Sequence, residues 1–288
     1  VVVFTNLTRD HLDFHGTIEN YKQAKKKLFS NFTDAKRVVT IDDLAGREIS
    51  NEYPQNLLTT GIYRHAEIMA EHVVLTDRNS EVILKTPWGN RPVRSPLLGQ
   101  HNIYNMLSAA GAALQQNVPL DTVVNGLQAL KYVPGRYERI DMGQDFAVAV
   151  DYAHTDDALQ NILNAARAFI HNNIILVFGC GGDRDRGKRP QMGRVAAQLA
   201  DRVVVTSDNP RSEEPGHIIG DIVAGVRGAA GGVEIEPDRR AAILRAVAGA
   251  RRGDVVLVAG KGHEAYQEIR DARHPFSDAA VAREALSR

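Results

Sequence analysis

The alternation of short apolar strands with amphipathic helices is the feature that most limits how this chain can fold. Between residues 146 and 260 the strand segments are "FAVAVDY", "NIILVFG", "DRVVVTS", "GVEIEP" and "DVVLVAG". Helices are predicted between them, at 156–171, 190–200, near 215–229 and at 238–252. Apolar strands separated by helices are typical of a parallel sheet covered on both faces. This half is therefore predicted to be a doubly wound, Rossmann-like α/β domain.

The first part of the chain has a different pattern. A strand at 1–5, a helix in "TIENYKQAKKKLFSNF" and a short strand in "KRVVTI" precede mainly β segments over 57–98. Two helices follow, in "NIYNMLSAAGAALQQ" and "LDTVVNGLQAL". The Pro-Gly pair of "KYVPGRYERI" then interrupts the helical pattern. We place the boundary between two α/β domains there, at 1–133 and 134–288.

Composition argues against several classes of partner. Lys+Arg and Asp+Glu are balanced at 35 each, so there is no basic excess to bind nucleic acid. The single Cys180 excludes an internal disulfide, and no apolar run approaches the ~20 residues of a membrane span. The sequence predicts a cytoplasmic protein that does not insert into a membrane. The opening "VVVFTNLTRDH" has no initiator Met and reads as a core strand, so we expect the chain to begin within a domain.

Polar, charged and glycine-rich segments follow four predicted strands of the second domain. They are "DYAHTDDA", "GCGGDRDRGKRP", "SDNPRSEEP" and "GKGHEAYQ". In doubly wound sheets ligands bind at the carboxyl ends of the strands, so these segments are candidate site loops. The alternative is that surface loops are simply polar.

The loop at 179–189 resembles two nucleotide-binding motifs and satisfies neither. Gly182 to Lys188 fits G-x-x-x-x-G-K, but Arg189 stands where a phosphate-binding loop needs Ser or Thr. Gly179 and Gly181 begin a dinucleotide fingerprint, but Arg184 occupies its third glycine position. The loop is better suited to hold an anion through backbone N–H groups and a guanidinium.

Two features near the N-terminus are ambiguous. "DHLDFH" at 10–15 places two acids and two histidines close together, which suits a metal site or a solvated turn with a helix cap. The lysines of 22–27 first indicate a solvated helix face.

Taken together, the order and spacing of eight segments resemble those of the Mur ligases of peptidoglycan synthesis, in the branch that adds the third residue of the stem peptide. The segments are "TNLTRDHLDFHG", "YKQAK", "GQHNIYNMLSAAGAAL", "PGRYE", "DYAHTDDAL", "GCGGDRDRGKRPQMG", "SDNPR" and "AGKGHEAYQ". Folylpolyglutamate synthetase and cyanophycin synthetase share the broad architecture and the "DYAH"-like element, but "DNPR" with "GKGHE" is not expected from them. Residues 1–133 would then be the carboxyl-terminal portion of the ATP-binding central domain, and 134–288 the amino-acid-binding domain.

The resemblance implies ATP-dependent amide formation through an acyl phosphate, with Mg²⁺ as cofactor. The expected substrates are UDP-N-acetylmuramoyl dipeptide and meso-diaminopimelate, and the expected state is a monomer. By motif, His11 would bind Mg²⁺, and Lys25 would be a carbamylated lysine that helps place the metal and the γ-phosphate. His154 would approach the phosphates. Asn102 would lie near the adenine, and Arg136 and Asp151 would contact the nucleotide, Asp151 through the ribose hydroxyls.

The same resemblance places a group of residues around the incoming amino acid: Arg184, Asp208, Asn209, Arg211, Gly260 and Glu264. "DNPR" marks family members that choose meso-diaminopimelate, and lysine-adding relatives lack its arginine. Diaminopimelate differs from lysine by one carboxylate, which a guanidinium can hold through two charge-assisted hydrogen bonds. Glu264 would take the distal ammonium.

Two departures from the family pattern stand out. Asp156 replaces the usual proline in the "DYAHTPDAL" element. This should loosen the turn slightly and add negative charge near the phosphates, and we predict that the effect is modest. The UDP-sugar domain and the "GTNGKTT"-type phosphate loop are absent from the sequence, so we expect this chain alone not to turn over. The alternatives are a non-catalytic amino-acid and nucleotide-binding module, and a lysine-adding or folylpolyglutamate-type ligase. A nicotinamide-dependent oxidoreductase is disfavoured by Arg184.

Overall fold

The computed structural model describes residues 1–10, 12–76, 78–168, 172–226, 232–270 and 272–288. The chain forms two compact units, Val1–Lys131 and Tyr132–Arg288. Among the described residues, no helix combines the length and the apolar character that crossing a bilayer requires.

The first unit is built on one mixed six-stranded sheet with strands in sequence order, β1 to β6. β1 to β4 are parallel, and β4, β5 and β6 are antiparallel neighbours. The strands are β1 (Val2–Phe4), β2 (Arg37–Thr40), β3 (Leu57–Gly61), β4 (Ile68–Leu75), β5 (Ser80–Thr86) and β6 (Gly89–Ser95). The helices are α1 (Leu12–His15), α2 (Ile18–Asn31), α3 (Leu44–Glu52), α4 (Gln100–Gln115) and α5 (Leu120–Ala129).

Two apolar cores form on this sheet. Helices α4 and α5 bury side chains against β3 to β6, and α2 and α3 pack with β1 and β2. The predicted β region and the two predicted long helices are present. Helix α3 was not predicted from the sequence; its N-cap is Asp43, whose carboxylate accepts the Gly46 N–H.

The second unit has a six-stranded sheet in the order β11-β10-β9-β12-β8-β7. All neighbours are parallel except β7 with β8. Its strands are β7 (Glu138–Arg139), β8 (Ala147–Asp151), β9 (Ile174–Phe178), β10 (Arg202–Val205), β11 (Val233–Ile235) and β12 (Val255–Ala259), and a separate antiparallel hairpin contains β13 (Tyr266–Ile269) and β14 (Ala272–Pro275). The helices are α6 (Asp156–Arg167), α7 (Lys188–Leu199), α8 (Pro215–Val223), α9 (Arg239–Ala248) and α10 (Asp278–Leu286).

Side chains alternate between the two faces of this sheet. Val148, Ile175, Val204 and Val256 pack with α9 and α10 in one core. Ile174, Leu176 and Phe178 are equally buried but point to the other face by the alternation of a strand. The predicted doubly wound α/β fold is therefore confirmed. The hairpin and α10 were not predicted.

The strand order changes direction beside β12. The chain passes from β8 to β9 and moves outward through β10 and β11, and β12 then returns to lie between β9 and β8. Doubly wound sheets bind ligands at the carboxyl ends of the strands beside such a change of direction.

Candidate functional site

Three loops meet at the carboxyl ends of β9, β10 and β12, and glycines allow them to approach closely. The Gly182 N–H donates to the Asn209 carbonyl at 2.9 Å. A Cβ at Gly182 would lie 1.9 Å from the Pro210 carbonyl oxygen, and one at Gly260 would lie 2.5 Å from the Asp208 carboxylate. Gly260 also has φ +119°, a conformation that L side chains rarely adopt. The close contact at Gly182 and the backbone conformation at Gly260 therefore require glycine at both positions.

Replacing Gly182 with alanine should separate the loops at 179–187 and 208–213. The clash is with backbone, which cannot turn aside, so we expect ~1–3 kcal/mol of lost stability and weaker ligand binding. Gly216→Ala is the matched control, because its Cβ would meet nothing within 4 Å inside α8. That control should be neutral or stabilising by ~0.5–1 kcal/mol in urea unfolding. Equal stability of the two variants would contradict the close approach.

We call the three loops at these strand ends, residues 179–187, 208–213 and 260–264, the rim. Asn209 is the centre of the polar network in this rim. It is buried, and its Oδ1 accepts from Lys261 Nζ at 2.9 Å and from the Glu268 N–H at 2.9 Å. Its Nδ2 donates to Glu264 Oε2 at 2.8 Å, and that oxygen also accepts from Lys261 Nζ at 2.8 Å. One amide thus connects the loop after β10 with the loop after β12.

The Glu264 carboxylate is held in its charged form. Burial raises its pKa, but the hydrogen bonds from Lys261 and Asn209 and the positive charge of Lys261 outweigh burial, so the pKa lies below the usual value. Its Oε1 has no hydrogen-bond partner among the described residues. Glu264 is therefore an ionised acceptor with one oxygen available to a cation.

Arg211 stands at the same rim in a left-handed conformation, with φ +51°. Its Nε donates to Glu268 Oε2 at 3.2 Å and its NH1 to the Gly182 carbonyl at 2.7 Å. Within the described ranges, its NH2 makes no hydrogen bond. Strained backbone held by its surroundings is common at functional sites. The guanidinium is thus oriented by two internal contacts and keeps one nitrogen for a ligand.

The β13–β14 hairpin holds the 208–211 loop in place. The Arg211 N–H donates to the Glu268 carbonyl at 3.0 Å, and the Arg270 N–H donates to the Arg211 carbonyl at 2.7 Å. Gln267 Nε2 donates to the Asp208 carbonyl at 2.7 Å. The loop therefore behaves as a short extra strand beside the hairpin.

Asp208 is buried and, with Gly260, forms one wall of the rim. Its Oδ1 accepts the N–H of Asn209 at 2.7 Å, and its Oδ2 lies 3.9 Å from the Arg239 guanidinium. Its carboxylate is therefore engaged within the protein.

Arg184 lies on the exposed part of the loop after β9. Its only hydrogen bond in the described part of the chain goes to the carbonyl of Asp183, at 3.0 Å. The Asp183 carboxylate accepts from the N–H and the hydroxyl of Ser212, at 3.1 and 2.7 Å. Arg184 is thus an open cation on a loop fastened to the "DNPR" segment.

A buried ion pair anchors the base of that loop. Arg189 is fully buried, and it donates to both oxygens of Glu213, at 2.7 and 3.0 Å, and to Asp221 at 3.0 Å. The Arg189 hydrogen bonds lower the pKa of Glu213 from 4.5 to about 2. The arginine that disqualifies this loop as a phosphate-binding motif therefore has a structural role.

Replacing Glu213 with glutamine should remove stability that depends on pH. A depressed folded pKa gives stability that is complete above the unfolded pKa of 4.5 and is lost as the pH falls toward about 2. At 1.36 kcal/mol per pKa unit, the free energy of unfolding of the parent should fall by about 3 kcal/mol over that window. The glutamine variant lacks this contribution at every pH. Urea unfolding of both proteins between pH 6 and 2.5 measures the difference. A difference in unfolding free energy between the two proteins that does not decrease as the pH falls would refute this prediction.

The residues expected near a nucleotide in the second unit lie at the end of β8. Asp151 is buried, and its two oxygens accept the N–H groups of Tyr137 and Ala153, both at 2.7 Å. Burial raises the pKa of Asp151 above its usual value. His154 Nδ1 lies 2.8 Å from the Tyr152 carbonyl, and the exposed Arg136 guanidinium lies over the Tyr152 ring at 4.8 Å.

Asp156 begins helix α6, directly after the N-cap Thr155. A negative charge at this end of a helix complements the helix dipole. Its predicted modest effect remains a prediction.

In the first unit, Lys25 differs from Lys22 and Lys26 on α2, as does Lys27. Lys22 bonds to Glu48 at 2.6 Å and Lys26 pairs with Glu52, whereas Lys25 has no carboxylate partner among the described residues. Its Nζ lies 4.9 Å from the centroid of the Tyr21 ring.

The remaining predicted residues of this unit give no direct geometry for a ligand. Asn102 is buried and donates to the Leu98 carbonyl at 2.8 Å, which leaves it a local role at the start of α4. His11 lies outside the described residues. Over the residues that are described, no group of three or more His, Cys, Asp and Glu side chains is placed to bind a metal.

Sequence reasoning missed Lys261, Glu268 and Arg239. Lys261 lies inside the "GKGHE" segment, and a charged residue directly after a buried strand was a signal that could have found it. Glu268 belongs to the hairpin that was not predicted, and Arg239 pairs with Asp278, 39 residues away.

The two sheets and the charged, glycine-lined rim define an α/β ligand-binding protein whose second unit suits a small molecule with several charges. Comparison with known proteins identifies the group more closely. Residues 1–113 match the Mur ligase middle domain, and residues 135–262 match the Mur ligase glutamate ligase domain. This chain belongs to the Mur ligase family.

Several curated relatives share nearly the whole chain. It is 45% identical, over 99% of its length, to UDP-N-acetylmuramoyl-L-alanyl-D-glutamate–2,6-diaminopimelate ligase of Bacillus licheniformis, and 48% identical, over 100%, to the protein of that name from Synechococcus elongatus. The chain spans 60% and 58% of the lengths of these relatives.

Solved structures give the same result. A ligase of the same name has a TM-score of 0.62 at 38% identity, with 99% of this chain and 59% of that one covered. The MurF ligase of Thermotoga maritima in complex with ADP has a TM-score of 0.73 at 18% identity, with 99% and 60% covered. The second likeness shows the fold alone.

Proposed function

We propose that this chain forms part of an ATP-dependent ligase that joins meso-diaminopimelate to UDP-N-acetylmuramoyl-L-alanyl-D-glutamate. The supporting observation is the rim of the second unit, where an ionised carboxylate and an oriented guanidinium are linked through one buried amide, Asn209. Such a pair complements a ligand with both ammonium and carboxylate groups. The names of the curated relatives supply the particular substrates.

In the proposed reaction, the γ-phosphoryl group of ATP passes to the carboxylate of the dipeptide, giving an acyl phosphate and ADP. The amine of the incoming amino acid attacks the acyl carbon, the bond to the phosphate oxygen breaks, and the nitrogen releases a proton. Positioning and neutralisation of charge dominate catalysis of this kind. Glu264 binds the distal ammonium, Arg211 and Asn209 bind the distal carboxylate, and Arg184 supplies further positive charge. Asp208 and Gly260 form the wall.

ATP binding and phosphoryl chemistry are assigned to the remaining predicted residues. Asn102, Arg136 and Asp151 contact the nucleotide, and His154 approaches the phosphates. Lys25, which has no carboxylate partner among the described residues, would carry a carbamate, and Lys25 and His11 would hold Mg²⁺. The ion would neutralise phosphate charge. We also propose a cytoplasmic monomer.

Phosphate release tests this function. Release that requires ATP, the UDP-N-acetylmuramoyl dipeptide and meso-diaminopimelate together establishes the reaction for the polypeptide assayed. Binding of the amino acid without release assigns the chain an amino-acid site alone. Equal use of L-lysine would favour the lysine-adding alternative, and absence of both binding and release by the full-length protein that contains this chain would overturn the proposal.

A further inference from the structure

Lys261 is a lysine with no exposed surface at the centre of the rim. It directly follows Gly260 at the end of β12. Its Nζ donates to Asn209 Oδ1 and Glu264 Oε2, at 2.9 and 2.8 Å, and lies 5.5 Å from the centroid of the Tyr266 ring. A buried ammonium must be paired, and these contacts pair it. Its charge therefore acts through its neighbours.

The first effect of Lys261 is to set the direction of the Asn209 amide. An ammonium and a backbone N–H can only donate, so Asn209 Oδ1 must face Lys261 and the Glu268 N–H. The Nδ2 group then faces the Glu264 carboxylate, which can only accept. Without the ammonium, one of the two donors that fix this amide is lost.

The second effect is on Glu264. Lys261 and Asn209 both donate to Oε2, so this oxygen is committed within the protein. Oε1 has no partner among the described residues. Lys261 thus fixes which carboxylate oxygen remains for a ligand.

The third effect is on charge. Two cations and two carboxylates are linked through Asn209, and their formal charges sum to zero: Lys261, Arg211, Glu264 and Glu268. An amino acid with two ammonium and two carboxylate groups is also neutral, whereas one with a single carboxylate carries +1. Removal of Lys261 would leave the cluster at −1, which favours the cationic amino acid.

We propose that Lys261 is a positioning residue for the amino-acid site, which orients Asn209 and Glu264 and balances the cluster so that the neutral dicarboxylate is preferred. The amino-acid identity in this inference rests on the proposed function. A purely structural lysine would only stabilise the second unit.

The first test is calorimetric titration of the 288-residue chain and its Lys261→Met variant with meso-diaminopimelate and L-lysine. Loss of a charge-assisted arrangement should weaken meso-diaminopimelate binding ~10–100-fold and reduce its preference over lysine. Lys85→Met, which removes a lysine paired with Glu71 in the first unit, should change neither. A Lys261→Met protein with a lower melting temperature but unchanged affinities would overturn the proposal. Lys261→Gln keeps a buried donor and tests the same preference if the methionine variant does not fold.

A second test needs no ligand and separates this inference from the proposed function. If the parent chain binds neither amino acid, the proposed site fails for this chain, but the carboxyl carbon of Glu264 can still be titrated by NMR. Without the Lys261 hydrogen bond and charge, the pKa of Glu264 should rise, and the Asn209 side-chain amide signals should shift. Unchanged titration and unchanged amide signals would show that Lys261 orients neither group.

Discussion

Replacing Arg211 with alanine should weaken the binding of meso-diaminopimelate by about 100-fold and leave the binding of L-lysine unchanged or slightly tighter. The two amino acids differ by one carboxylate, and a hydrogen bond to a charged group contributes ~1.5–3 kcal/mol. Internal contacts hold Nε and NH1 of Arg211, so NH2 is the nitrogen best placed for that carboxylate. Calorimetric titration with both amino acids measures the change.

The loop should survive this substitution. The backbone N–H and carbonyl of Arg211 bond to Glu268 and Arg270 of the hairpin, and these two hydrogen bonds remain when the side chain is removed. Arg211→Lys keeps the charge but not the planar group of donors, so it should recover only part of the affinity. Arg252→Ala, on the exposed segment before β12, is the control and should bind like the parent. If the parent binds lysine as tightly as diaminopimelate, the role given to Arg211 is wrong.

Asp278→Ala should destabilise the second unit by ~3–5 kcal/mol, the largest stability loss we expect from one substitution. Arg239 and Asp278 have no exposed side-chain surface and form two hydrogen bonds of 2.7 Å. The same guanidinium donates to the carbonyls of Ser207 and Ala259, which immediately precede the "DNPR" and "GKGHE" loops. Loss of the carboxylate would leave the buried Arg239 without a hydrogen-bonded counter-ion beneath the site, with only the Asp208 carboxylate 3.9 Å away.

The double variant Arg239→Met with Asp278→Ala should regain most of that stability, because it removes the unpaired charge. Arg283→Ala breaks a partly exposed pair with Glu138 and should cost no more than about 1 kcal/mol. The one tryptophan of the chain, Trp88, lies in the first unit, so its fluorescence does not report directly on the second. Hydrogen exchange of the β8, β9 and β12 amides is therefore the appropriate probe. An Asp278→Ala protein as stable as Arg283→Ala would contradict this prediction, because the charge of Arg239 would then be compensated without Asp278, by water or by Asp208.

Much of the fold was predictable because burial leaves a periodic record in the sequence. The central strands of the second unit are buried on both faces and read as continuous apolar runs. The β13–β14 hairpin was missed because its residues are half-buried or exposed and carry mixed charge, "YQEI" and "ARHP". Helix α3 was missed because only three of its nine residues are buried.

The site was predictable only in part. The tendency of doubly wound sheets to bind ligands at the carboxyl ends of their strands drew attention to "SDNPR" and "GKGHE". The resemblance to the Mur ligases then selected residues within these segments. Neither could show that Asn209 joins Lys261 to Glu264, or that Glu268 already bonds to Arg211. These partners lie 52 to 57 residues apart in sequence.

The sequence by itself determined the α/β class, the order of the central strands along the chain and the loops that carry charge, because these depend on local periodicity and on the residues at strand ends. Tertiary structure decided the placement of β12 between β9 and β8, the docking of the hairpin on the "DNPR" loop and the burial of Lys261 and Arg239. These outcomes depend on close backbone contacts and on the pairing of charges removed from water. Both depend on the distance between residues far apart in sequence, which only the folded chain fixes.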